Sequence, residues 1–218
     1  MGEGIAHIMS PLSAPWCAWT MLVLLLLAIL SEWLQPGVIS QASTSLTVHN
    51  ERTYKDAPVH FMAQLFITLF RIGTLALGLC LCFNASGHFS FAAFAAVSGI
   101  IVGVTLVKML ATVLMDYTFL LSRTYGDAYE HYSNLFTLAM VVLYPLQLVF
   151  WHIGSPIANR WLLGIIGGAF LLLWIYRGLR QYVRKPMAIL YLLAYMFTLE
   201  FLPMAGIVLL SAKTISIL

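Results

Sequence analysis

Six apolar runs dominate this 218-residue chain and leave it few ways to fold. About 20 apolar helical residues cross the roughly 30 Å of hydrocarbon in a bilayer. Inside that layer a helix satisfies its own backbone hydrogen bonds. The expected fold is therefore all-α: a polytopic transmembrane helical bundle of about six spans, forming one integral membrane domain over residues 1–218. The spans are set at residues 16–34, 59–83, 89–115, 135–153, 161–176 and 187–211. Only 9% of the residues are charged and 61% are hydrophobic, where a soluble domain carries about 25% charge. No room is left for a second globular domain. The lipid bilayer is the partner that this composition demands.

The punctuation between the runs agrees. Pro36 and Gly37 end the first, as helix breakers should. A cleaved signal peptide is the competing reading of this run. Residues 1–15 contain no Lys or Arg, whereas a signal peptide needs a positive start. Residues 35–58 are polar, Ser/Thr-rich and then charged. The third run continues without a breaker from residue 89 to 121. At 1.5 Å per residue that is about 50 Å, so it is tilted or its 108–121 end emerges into the interface. Residues 122–134 read as a polar loop, with the Tyr-rich stretch 125–132 at the interface or open to partner recognition. Gly154-Ser-Pro156 reads as a turn, and 177–186 as a basic hairpin.

Orientation follows from the cations. Arg52, Lys55, Arg123, Arg177, Arg180, Arg184 and Lys185 fall in loops on one side. Arg160 and Lys213 fall on the other. The positive-inside rule then places both termini outside the cytoplasm. The net charge of +3 resides in these flanking clusters. It speaks for topology and anionic lipid headgroups, not nucleic acid. Trp16, Trp19, Trp33, Trp151, Trp161 and Trp174 fall near span ends, where aromatic belts form.

Charges inside the spans are the candidates for chemistry. Glu200 lies near the middle of the sixth run, where a charge costs at least about 2.5–3.5 kcal/mol. Arg71 lies near the middle of the second. The two are matched in depth. One reading is a structural ion pair that sets helix registry; the other is a proton- or ion-linked site. Lys108 and Asp116 share the third helix but stand about 12 Å apart along its axis, too far to pair in a straight helix. Lys108 can snorkel to the interface or serve as an alternative counter-ion for Glu200. Pro145 and Pro203 interrupt helices and free the carbonyls of Val141 and Leu199. Gly99 with Gly103, and Gly164 with Gly168, are small-x-x-x-small pairs that permit close helix approach, within the chain or between copies.

No complete catalytic set is recognised. The histidines are scattered, and no H-E-x-x-H, G-x-S-x-G or phosphate-loop motif occurs. The cysteines Cys17, Cys80 and Cys82 lie in apolar runs without C-x-x-C spacing and read as buried free thiols. No metal site and no cofactor are expected.

Several segments resemble one known family. Tyr191-Leu-Leu-Ala-Tyr-Met-Phe-Thr-Leu-Glu-Phe-Leu-Pro203 is similar to the "LY-x-C-x-LE-[IL]-LP" ending of the DUF4271 family of Bacteroidota integral membrane proteins. Val107-Lys-Met-Leu is similar to its "iK-x-L" segment. Tyr132-Ser-Asn-Leu-Phe followed by Val142-Leu-Tyr-Pro-Leu146 is similar to its "N-x-x-F…G-x-x-L-x-P" region. The chain lacks the usual glycine before Pro145 and the cysteine before Leu199. The resemblance covers about residues 50–215. It implies a multi-pass protein of the bacterial inner membrane and singles out Lys108, Asn134, Pro145, Glu200 and Pro203, but it brings no established activity. Three functions stand open: a non-enzymatic structural, assembly or membrane-protein-binding role; a small ion-coupled transporter with a midplane site at Arg71 and Glu200; and an intramembrane enzyme.

Overall fold

A computed structural model describes residues 15–37, 39–40, 61–83, 90–119, 122–153, 156–182 and 201–217. Six helices account for nearly all of them: α1 (Pro15–Leu34), α2 (Phe61–Phe83), α3 (Phe91–Phe119), α4 (Ser122–Ile153), α5 (Pro156–Tyr182) and α6 (Leu202–Ile217). The protein is all-α, with no strand among the described residues. Five helices are long and apolar enough to cross a membrane. The sixth run is described only from residue 201. There α6 continues to Ile217, past the expected end at 211.

Two boundaries differ from the sequence reading. The polar stretch 122–134 is not a loop, because α4 begins at Ser122 and includes it. Gly126 is its weakest former, and one glycine costs a helix about 1 kcal/mol. Polarity marks departure from hydrocarbon, not the end of a helix. Likewise α5 begins at Pro156 and runs to Tyr182, into the expected basic hairpin. Proline suits a first helical position, where no N–H partner is needed. α1 stops as expected. Gly37 turns into the left-handed region at φ 96°, and the Glu32 carboxylate accepts the N–H groups of Gly37 at 2.7 Å and Ile39 at 3.0 Å.

The second helix is the axis of the bundle. It packs against all five others. In its span 61% of residues are buried, against 11–33% in the other four spans. Neighbouring spans alternate in direction. Arg160, near the start of α5, meets Cys82 at the end of α2, and Trp16 of α1 meets Phe91 of α3 edge-on at 5.8 Å. On one side of α2, Ile67, Phe70 and Leu77 pack with Met21 of α1 and with Leu143 and Tyr144 of α4. On the other, Ala76, Leu79 and Cys80 pack with Val97 and Ile101 of α3, and Ile207 and Ile215 of α6 lie against them. All three thiols are free and buried.

Among the described residues, the closest approaches fall at glycines other than the expected ones. A Cβ at Gly99, Gly103, Gly164 or Gly168 would meet nothing within 4 Å. Those pairs hold no tight contact among the described residues. Spacing marks a smooth stripe on a helix but not the direction in which it faces. The tight positions are on α2. A Cβ at Gly73 would collide with Leu24 of α1, and one at Gly78 with the Gln147 amide of α4. Tryptophans divide similarly. Trp19, Trp33 and Trp161 are exposed, as belt residues should be, but Trp151 is a core residue.

The α1–α4 contact includes a buried hydrogen bond, donated by the Tyr144 hydroxyl to the Met21 carbonyl at 2.7 Å. Tyr144→Phe should cost about 0.6 kcal/mol, the average for such bonds in membranes, measured by reversible unfolding in mixed micelles. In the same assay Gly78→Ala should cost about 1–3 kcal/mol through overpacking. Gly99→Ala and Gly103→Ala should be neutral or slightly stabilising, since alanine is the better helix former.

Candidate functional site

Two basic side chains from different helices converge on adjacent residues of a third. Arg71 on α2 donates from Nη1 to the Ser133 hydroxyl of α4 at 2.8 Å. Lys108 on α3 places its Nζ 3.9 Å from the centroid of the Tyr132 ring, also on α4. Both cations are half-buried. The helix positions explain the meeting. Arg71 is near the middle of α2, and α3 runs back alongside α2 so that its later residues reach the same level. The Ser133 carbonyl accepts the Thr137 hydroxyl at 2.8 Å, so this residue serves α4 with its backbone and α2 with its side chain.

An aromatic wall backs this layer. Tyr132 stacks with Phe136 at 6.1 Å and 5° between planes. It meets Phe170 and Trp174 of α5 edge-on at 5.5 and 5.7 Å. Phe136 and Phe170 complete the group at 5.8 Å. Edge-on geometry aims the positive rim of one ring at the negative face of another. The Tyr132 face is thus shaped by its neighbours and presented to Lys108. A cation over such a face gains about 0.5–1 kcal/mol when exposed and about 2 when desolvated.

A second polar zone lies further along α2. Gln147 of α4 donates from Nε2 to the Thr74 carbonyl at 3.2 Å. Arg160 of α5 donates from Nε to the Cys82 carbonyl at 2.7 Å. The second contact caps the end of α2, whose last carbonyls have no helical partners. A guanidinium there also meets the negative end of the helix dipole.

The remaining sequence candidates fall as follows. Glu200 lies outside the described residues. Asp116 lies on α3, with its side chain outside them. Pro145 is inside α4 and exposed. Phe201 is helical, and Pro203 lies at the start of the described part of α6; the Leu199 carbonyl lies outside the described residues. Asn134 is half-buried beside Ser133. Among the described residues, no three His, Cys, Asp or Glu side chains gather to hold a metal ion. The sequence reading missed the role of Tyr132 and Ser133 because it placed them in a loop. It missed Thr74 and Gln147 because single polar residues in a span carry no motif. The signal available was spacing: Thr74 follows Arg71 by one turn, and Gln147 follows Ser133 by whole turns on one face of α4.

The pattern of the family described as "Domain of unknown function (DUF4271)" matches residues 17–210. No curated protein and no solved structure matches the chain.

The cation–aromatic contact can be tested directly. Tyr132→Leu should destabilise the protein by about 0.5–2 kcal/mol. The loss should shrink in a Lys108→Met background. Independent, additive losses in that double-mutant cycle would show that Lys108 and Tyr132 are not energetically coupled.

Proposed function

This chain belongs to the DUF4271 family, and from that premise we propose that it is a non-enzymatic, multi-pass protein of the bacterial inner membrane. In this reading it acts through membrane-protein partners, and its intramembrane charges set helix registry. The convergence of Arg71 and Lys108 on Ser133 and Tyr132 carries the reading. Two cations brought to one level of a bilayer require negative charge nearby, and Glu200 is the carboxylate proposed to supply it. It precedes α6 by two residues, and α6 packs against both α2 and α3. Ile207 of α6 lies against the cluster containing Ala76, which follows Arg71 by five residues on α2. Asp116, later on α3, is the second candidate acid. The positive-inside count supports placing both termini outside the cytoplasm. One compact domain is supported by the contacts of α2 with every other helix.

The rival reading is a small transporter with Arg71 and Glu200 as its midplane site. Its support is the charge layer itself, since intramembrane ionisable residues mark ion paths as well as structural pairs.

Charge reversal distinguishes a registry pair from separate charges. Arg71→Glu and Glu200→Arg alone should each cost about 3–5 kcal/mol, as breaking a buried pair does, and should lower the yield of folded protein. Combining them should restore most of it. The neutral double variant Arg71→Met with Glu200→Gln should fold better than either neutral single variant. Failure of both doubles to recover folding would defeat the pairing. Uptake of an ion by proteoliposomes, abolished in the folded doubles, would favour the transporter.

A further inference from the structure

We propose that α2, α4 and α5 enclose a buried hydration site, framed by Thr74, Gln147, Trp151 and Asn159. It is separate from the charge layer and does not depend on Glu200. Thr74, Gly78 and Cys82 are one turn apart and share a face of α2. Gln147 lies across that face. Its Nε2 bonds the Thr74 carbonyl at 3.2 Å, and its amide fills the place a Gly78 side chain would take. α5 closes the same face in the opposite direction. Leu163 comes within 3.4 Å of the Gly78 Cβ position, and Arg160 reaches the Cys82 carbonyl. One turn before Leu163 stands Asn159, and one turn after Gln147 stands Trp151. Trp151 packs in the same cluster as Leu77, Leu81 and Leu163. Contacts and register therefore line the four polar side chains along one three-helix junction. Thr74 lies toward one end and Asn159 about two turns (~12 Å) away toward the other, so that the site holds a short file of water and not a single molecule.

All four are deeply buried, with exposures of 0% for Thr74, 2% for Gln147, 5% for Asn159 and 8% for Trp151. Each keeps a polar atom without a hydrogen-bond partner among the described residues: Thr74 Oγ1, Gln147 Oε1, Asn159 Oδ1 and Trp151 Nε1. The mixture defines the ligand. Indole nitrogen only donates, the two amide oxygens accept, and the hydroxyl does both. An anion would face amide oxygens, and a cation would find no carboxylate among the four. Water donates twice and accepts twice, and buried waters use two to four such partners. A bilayer offers these groups no alternative partner. Gly78 makes the site possible by letting the Gln147 amide lie flat on α2.

The sign of a stability change tests the site. A dry, orphaned hydroxyl replaced by an equal-sized methyl group is neutral or stabilising. A hydroxyl that holds water leaves its co-ligands unsatisfied when removed. Thr74→Val and Asn159→Leu should each lower Tm in detergent by about 2–4 °C, and their combination should lower it by less than the sum. X-ray radiolysis, which makes hydroxyl radicals from bound water in place, should oxidise Trp151 in the wild-type protein. The Thr74→Val/Asn159→Leu protein should lose that oxidation. An unchanged or raised Tm in Thr74→Val, additive effects in the double, or unoxidised Trp151 in the wild type would each overturn the proposal.

Discussion

Everything else in this bundle depends on how closely other helices can approach α2. Within a bilayer no hydrophobic force drives one apolar helix onto another, because lipid tails are as apolar as leucine. What remains is van der Waals fit and hydrogen bonding. α2 answers with small residues where its neighbours press hardest. Gly73 receives Leu24 from α1, and Gly78 receives Gln147 from α4. Where the same helix has larger residues, such as Ile67, Phe70 and Leu77, they interlock with partners on α1 and α4. A helix this enclosed also offers its carbonyls as acceptors. Gln147 and Arg160 both use them, so these two side chains bind backbone and not each other.

The charge layer and the hydrogen-bonded junction occupy different levels of the same axis. Arg71 begins the polar face, Thr74 follows one turn later, and Cys82 ends it under Arg160. The lower level handles charge with a hydroxyl and an aromatic face. The upper level uses the Gln147 amide and the Arg160 guanidinium, each bonded to an α2 carbonyl.

Much of this was legible in the chain. Apolar length alone located five spanning helices to within a few residues at most ends, because hydrocarbon thickness is a strong constraint. Arg71 and Lys108 stood out because charge in a span is costly. Other features had no local signature. Residues 122–134 are helical although polar, since helix propagation does not stop where lipid does. Gly99 and Gly164 have the spacing of packing residues but meet no close neighbour among the described residues, and only tertiary structure decides which side of a helix is inside. Trp151 was read as a belt residue from its place near a span end, yet the neighbouring helices enclose it. Tyr144 and Gln147 act on backbone carbonyls, and a carbonyl acceptor leaves no trace in residue identity.

The Tyr144–Met21 hydrogen bond joins residues 123 positions apart. Its partners therefore leave the ribosome at very different times. Until α4 is made, α1 has α2 and the start of α3 for company, but not the hydroxyl that will bond its Met21 carbonyl. The first helix is thus held for a later arrival, and the tyrosine acts as a latch that closes only when more than half of the chain is in the membrane. Order of synthesis is built into the geometry of a single hydroxyl.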